Sequence, residues 1–461
     1  MGLKLIVVGG LALLMTIPAL YVSALVEERT NRARDVTREI SDHVGGQQTF
    51  LGPTLAIPYT VAAKLPNEVA RHGIYQVFPA QASAIVKTRT EERRRSLFKV
   101  PVFQADLNLD ASFDLTGVPA AAPPGVELNW SRAEIQVGIS DARGALADAT
   151  LTSSGKTWNL GPAEITEDIP IGTDPNQHSK LTLLGTRAGG LVEQKAQPNG
   201  QFNVTSVLRF SGAQRIAVLA YGKTTHLTMQ GDWPSPGFDG GFLPVSRSVS
   251  SRGFSAEWSV PFIARGVRAE GLSSSMTAAL DATALGVSFI EVADPYQSVT
   301  RSLKYALLLL GLLFLSYFVF EVTSGKRVHP AQYVLVGVAQ IIFYLLLLSL
   351  AERIGFGLGF LVGGAATVML LSANALWIFQ SYLQGIRALV SFSLLYGLIY
   401  FLLRLEDNAL LVGAISSFLA VATVMYLTRK IDWYGSLRPN SPADPIPPPL
   451  PVDLGSTNVG R

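Results

Sequence analysis

The fold is decided by Tyr305-Ala-Leu-Leu-Leu-Leu-Gly-Leu-Leu-Phe-Leu-Ser-Tyr-Phe-Val-Phe320, 16 uncharged residues held between Lys304 and Glu321. A helix that crosses a bilayer takes about 20 such residues, within a range of about 17–25. This run is short, but both flanking charges sit on long stems that reach toward an interface. Working outward, residues 331–351 form a second uncharged run. Residues 354–386 hold no charge over 33 positions, too long for one span and too short for two with a turn. A break near Asn374 gives a span over 354–373. It leaves 375–385 as an interfacial segment, where Trp377 and Tyr382 suit the headgroup level. Runs over 388–403 and 408–428 complete a block of five spans. A sixth span lies over 3–26. Its Val22-Ser23-Ala24 resembles a signal-peptidase site, but the apolar run exceeds the roughly 7–15 residues of a signal core, which favours an uncleaved anchor.

Composition agrees. The 461 residues include 37 Lys and Arg against 34 Asp and Glu, a net charge of +3. Only 15% are charged and 48% are hydrophobic, with a mean hydropathy of +0.31. Soluble domains carry about 25% charged residues, so part of this chain is solvated by lipid. The balance excludes widespread disorder and a strongly basic nucleic-acid binder. With no cysteine there is no disulfide, no thiolate nucleophile and no Cys-ligated metal.

Six spans place both termini on one side. That side holds Lys4, Lys326, Arg327, Arg387, Arg429, Lys430 and Arg438, whereas the opposite short loops hold Arg353 and Arg404. Arg29, Arg32, Arg34, Arg38, Arg301 and Lys304 flank the large domain, but long translocated segments cross largely regardless of charge. Residues 27–300 carry 25 positive against 27 negative side chains. The tally points to cytoplasmic termini and an exported domain.

Within residues 27–300 the hydrophobic period is two. It is clearest over 204–210, 225–229 and 253–260, where Phe254, Ala256, Trp258 and Val260 share a face. Turns rich in Gly, Pro, Asn and Asp separate these strands. The expected fold is a membrane protein with an N-terminal transmembrane helix, a large mainly-β exported domain and a C-terminal five-helix bundle. The β domain is expected to be sandwich-like, with room for two lobes meeting near residues 150–161. Residues 28–44 lack Gly and Pro and would continue the first span as a polar helical stalk. The domains are then the anchor 1–26, the β-rich domain 27–300, the five-span domain 301–434 and a cytoplasmic tail 435–461. The tail has seven prolines in residues 439–451, an extended, disordered composition that also suits a ligand for a partner domain.

Catalytic patterns are missing. The histidines His43, His72, His178, His226 and His329 are not spaced as metal ligands. No G-x-S-x-G elbow occurs. Gly155-Lys156-Thr157 and Gly222-Lys223-Thr224 resemble the end of a P-loop, but Thr150 and Ala217 stand where its first Gly belongs, and strand-like alternation follows the second. No cofactor, metal site or catalytic residue is expected, and the protein is read as non-enzymatic.

Four features remain as candidates. Arg93, Arg94 and Arg95 suit an anionic partner such as lipid headgroups, or else a solvated strand edge. Gly355, Gly359 and Gly363 recur at four-residue spacing, a smooth ridge for close helix packing. Gln340, Thr367 and Asn374 could hydrogen-bond between helices. The segment 231–258 combines Trp233, Phe238, Phe242, Phe254 and Trp258 with turns at Asp232-Trp233-Pro234 and Asp239-Gly240-Gly241. Its aromatics are either core, or Trp233 and Phe238 are anchors for a partner beside Asp239.

Several stretches together resemble the CreD family of bacterial inner-membrane proteins. They are Gly138-Ile-Ser-Asp-Ala-Arg-Gly144, Gly231-Asp-Trp-Pro234, Phe238-Asp-Gly-Gly-Phe-Leu-Pro244 and Gly253-Phe-Ser-Ala-Glu-Trp258 in the β domain. In the membrane block they are His329-Pro-Ala-Gln-Tyr333, Ser349-Leu-Ala-Glu-Arg-Ile-Gly-Phe356, Leu405-Glu-Asp-Asn-Ala-Leu-Leu411 and Tyr426-Leu-Thr-Arg-Lys-Ile-Asp-Trp-Tyr434. Their order over residues 25–434 carries the likeness. It implies an inner-membrane location, a large periplasmic domain and a role in cell-envelope integrity and stress under two-component control. It implies no catalytic residues. The expected partners are the lipid bilayer and an envelope component or membrane protein, not nucleic acid; the sequence leaves the oligomeric state open. The rival expectation is a transporter or membrane enzyme acting through the helix bundle.

Overall fold

The computed structural model describes residues 2–62, 70–95, 98–171, 179–188, 200–289 and 295–405, with scattered positions from 411 to 429. The chain divides into two compact units, residues 27–294 and residues 1–26 with 295–461.

The first unit is two large mixed sheets and a short two-stranded one. The eight-stranded sheet grows from one long hairpin. Gln81–Arg95 pairs with Phe98–Asp114 along its whole length, from Gln81 opposite Ser112 to Arg95 opposite Phe98. Ala82, Ala84, Val86 and Thr88 point inward and the intervening residues face solvent, the alternation of a half-buried strand. Gln201–Ala213, Thr224–Gly231 and Gly253–Val260 extend this sheet, so the strands read from period two all belong to it.

The ten-stranded sheet has Gln48–Val61 near its centre, paired with Arg215–Leu219 in parallel and with Glu134–Ile139 antiparallel. Residues 48–57 are buried without exception, as a strand covered on both faces requires. One core cluster joins the sheets, taking Phe50, Leu55 and Val137 from one and Val86, Leu107 and Leu208 from the other. Tyr221 crosses between them. Its hydroxyl lies 2.8 Å from both Ser83 O and Asp110 O, and burial raises its pKa well above the phenol range. Its ring runs over Gly52, where a Cβ would lie 2.5 Å from ring carbon. The buried Arg265 attaches the irregular stretch after residue 260. Its guanidinium stacks 4.0 Å over Phe78, and its Nε donates to Ala220 O at 2.7 Å.

Residues 150–161 are not a seam between lobes. Thr150–Ser153 and Lys156–Asn159 form a hairpin on the edge of the eight-stranded sheet, turning through Ser154 and Gly155 at positive φ. Strands follow both Gly-Lys-Thr tripeptides, where a phosphate loop would need a helix.

Among the described residues, five helices are long and apolar enough to cross a membrane. Helices α1 (Gly2–Leu14) and α2 (Thr16–Val44) form the first, and α2 includes the polar stretch expected as a stalk. Then come α3 (Pro295–Lys304), α4 (Ala306–Ser324), α5 (Pro330–Ile354), α6 (Phe356–Phe379) and α7 (Tyr382–Arg404). α3 is amphipathic, burying Tyr296, Val299 and Ser302, and Tyr296 donates to Glu352 at 3.0 Å. The expected break near Asn374 is corrected. α6 runs through it to Phe379, and the chain turns instead at Gln380 in the left-handed region. Asn374 is accommodated because its amide donates to the Tyr317 hydroxyl at 3.3 Å, so the helix need not end there. Residues 375–385 accordingly divide between α6 and α7 instead of lying as one interfacial segment. The expected span over 408–428 falls outside the described residues except at scattered positions, and the tail 435–461 lies wholly outside them.

Candidate functional site

The 231–258 segment is a crossover between the two sheets. Thr224–Gly231 ends the passage through the eight-stranded sheet. Asp232 then fixes the turn, accepting from Thr90 N at 2.8 Å and Thr90 Oγ1 at 2.5 Å. Pro234 and Pro236 set φ where the chain leaves. Pro236–Gly240 then joins the edge of the ten-stranded sheet, with Asp239 opposite Gly286 and Pro236 opposite Phe289. The chain returns as Ser246–Ser250, the edge of the eight-stranded sheet.

Aromatic rings fill the inside of this crossover. Trp258 is 2% exposed, and its indole N–H donates to Phe242 O at 3.1 Å. The half-buried Phe238 sets its edge on Phe254 and Trp258, with ring centroids 6.2 and 6.0 Å away, and Arg247 lies 5.9 Å above it. Trp233 is also half-buried and meets Phe289 edge-on at 6.2 Å.

Asp239 is the polar pin. It accepts from Arg215 Nε at 2.8 Å and from the Ser288 hydroxyl. Arg215, Ser288 and Phe289 also line a cleft of about 310 Å³, together with Lys99, Gln214 and Thr37 of the stalk helix. The candidates Trp233, Phe238 and Asp239 therefore lie around one corner. Sequence reasoning missed Lys99, Gln214 and Arg215. The one available signal was a polar Gln-Arg pair between a strand pattern and the buried run that follows it.

Arg93, Arg94 and Arg95 extend the long hairpin and are each matched by acid. Arg93 meets Glu91 at 3.0 Å, Arg94 meets Glu92 at 3.6 Å, and Arg95 pairs with Glu39 of the stalk. The hydrogen bond from Arg95 holds the Glu39 carboxyl below the usual carboxylate range. These arginines do not join the Trp233 cluster. Lys99, opposite Arg94 in the hairpin, is the member that reaches the cleft. Among the described residues no group of His, Asp and Glu is arranged to hold a metal ion.

In the helical unit, two side chains singled out as interhelical donors or acceptors bridge helices. Tyr396 donates to Gln340 at 2.5 Å, between α7 and α5, and Asn374 joins α6 to α4 through Tyr317. Thr367 donates within its own helix, to Gly363 O at 2.8 Å, and its side chain also meets that of Tyr396 on α7. The three glycines have separate positions. Gly355 is the α5–α6 turn at φ 82°, and Gly359 faces α5 so closely that a Cβ would lie 3.0 Å from Ala351 N. Gly363 leaves ordinary contact distance to Phe343. Glu321, at the end of α4, is buried and accepts from Val328 N and from the Tyr333 hydroxyl, each at 3.1 Å.

Residues 1–434 match the family model described as inner membrane protein CreD. The chain is 30% identical over 439 residues to inner membrane protein CreD of Escherichia coli (strain K12), an alignment that covers 94% of each chain. With its apolar helices and its two-sheet β region, the chain belongs to the CreD family of inner membrane proteins.

Proposed function

We propose that this inner membrane protein contributes to cell-envelope integrity without catalysing a reaction, through a periplasmic β domain that binds or braces an envelope component. Both termini are then cytoplasmic and residues 27–300 periplasmic, as the short-loop charges favour. The observation that carries the reading is the β unit itself. Residues 27–294 form a compact two-sheet body, with a polar cleft at the corner where the 231–258 crossover meets the ten-stranded sheet. In a strain lacking its own copy, the full chain should restore survival of an envelope challenge. A chain with residues 27–294 replaced by a short linker should insert but restore nothing; full restoration by that chain would refute the proposal. The second reading, a transporter or membrane enzyme working through the bundle, draws on the buried Gln340–Tyr396 bond within the spans. It predicts that the linker chain keeps activity.

A further inference from the structure

We propose that the cleft at Lys99, Gln214 and Arg215 binds a phosphorylated polyol, the chemistry of a glycerophosphate headgroup. The proposal deepens the envelope-binding reading and rests on it. Three observations converge.

The first is an oriented guanidinium. Arg215 is tethered through Nε to Asp239, which is held in turn by the Ser288 hydroxyl. Its terminal Nη groups make no hydrogen bond among the described residues, yet the side chain lines the cleft. An arginine held this way presents donors in a fixed fork, the geometry that suits phosphate oxygens.

The second is a local surplus of positive charge. Lys99, on the same cleft, shares one oxygen of Glu92 with Arg94, at 3.5 and 3.6 Å. Two cations on one carboxylate leave one charge unbalanced, and an anion in the cleft would balance it.

The third is backbone strain at the rim. Gln214 has φ 66°, a conformation that side chains other than Gly and Asn rarely adopt. It is pinned there, its N donating to Pro101 O at 3.1 Å and its O accepting from Phe289 N at 2.7 Å. A glycine would hold this turn more easily, so the residue that stands on the cleft here carries a side chain at the expense of strain. Gln47 and Gln214 supply amides for polyol oxygens, the Ser288 oxygen can accept from a polyol hydroxyl while its own proton stays on Asp239, and Phe289 supplies an apolar wall. The volume of about 310 Å³ suits a headgroup-sized ligand. Thr37 of α2 lines the same cleft, so a ligand seated there links the stalk to both sheets.

The test uses the full chain in nanodiscs of neutral phosphatidylcholine. Calorimetric titrations compare glycerol 3-phosphate, dihexanoyl phosphatidylglycerol, glycerol and inorganic phosphate. Binding of either phosphorylated polyol supports the proposal, and which of the two binds more tightly tells a free ligand from a lipid-borne one. Lys99→Gln and Gln214→Gly should each weaken binding at least about tenfold. Gln214→Gly should also raise the melting temperature, because it relieves the left-handed turn, so its loss of binding is not a loss of folding. Three results overturn the proposal: no binding of either phosphorylated polyol, inorganic phosphate bound as tightly as glycerol 3-phosphate, or unchanged affinity in both variants. If the titrations fail while the full chain still depends on residues 27–294 for envelope survival, the ligand class falls and the envelope reading stands.

Discussion

Arg215 Nε donates to Asp239 Oδ1 at 2.8 Å, and this bond fastens the 231–258 crossover to the strand that leaves the Gln214 turn. The Ser288 hydroxyl occupies the other carboxylate oxygen, so Asp239 ties together three consecutive neighbours of the ten-stranded sheet. Asp239→Ala should remove both bonds and lower stability by about 1–3 kcal/mol. Equilibrium unfolding of the full chain in mild detergent measures it. An unchanged midpoint would show that the crossover is held by its aromatic rings alone.

Those rings differ in depth, and the two tryptophans should separate accordingly. Trp258 is buried and hydrogen-bonded, so Trp258→Ala should destabilise by about 3–5 kcal/mol. Trp233 is half-buried against Phe289, and Trp233→Ala should have a clearly smaller effect on the same unfolding curve. If Trp233→Ala leaves stability unaltered but abolishes envelope survival, the ring is a partner contact and not core.

The eight-stranded sheet was legible because one of its faces is wet. Phe254, Ala256, Trp258 and Val260 alternate with polar residues, and the alternation marks the strand. The ten-stranded sheet gave no such signal. Residues 48–57 and Glu134–Ile139 are buried on both faces, so they carry apolar, small and even acidic residues without period. Glu134 shows how an acid fits such a strand. It is 2% exposed, yet its carboxylate is satisfied by Gln136 and by the backbone N–H groups of Glu164 and Ile165. The membrane spans were readable from length and charge, but not their ends. Asn374 and Glu321 look like boundary residues in sequence and find partners inside the unit. The cleft was illegible because its residues, from Thr37 to Phe289, are distant in the chain and meet only in the fold.

Close packing at Gly359 is open to direct test. Gly359→Leu places side-chain atoms against the α5 backbone at Leu350 and Ala351, so the helices must separate. The thermal midpoint of the detergent-solubilised chain should fall. Gly363→Ala, where Phe343 stands at ordinary contact distance, should be nearly silent. Equal effects at the two positions would contradict a close approach confined to Gly359.

Glu270 gives the β unit a pH signature. Burial raises its carboxyl pKa above the ordinary value, and Lys223 opposes that only in part. A raised folded pKa favours the native state below the unfolded pKa, and that advantage is lost as pH rises through the folded value. Glu270→Gln should therefore stabilise the protein at neutral pH, and the gain should vanish in acid, where the wild-type group is also neutral. Unfolding midpoints at pH 4 and pH 7.5 check this; a gain that persists at the lower pH would contradict it.

The central claim is that the β unit works on the periplasmic side of the inner membrane, with both termini inside. Because the chain has no cysteine, single cysteines report position without background. Lys156 sits exposed at the tip of the 150–159 hairpin and Ser441 lies in the proline-rich tail. Lys156→Cys and Ser441→Cys are treated with an impermeant maleimide in intact spheroplasts, then again after lysis. The account predicts labelling at 156 before lysis and at 441 only after it. Labelling at 441 in intact spheroplasts, with 156 protected until lysis, would contradict it.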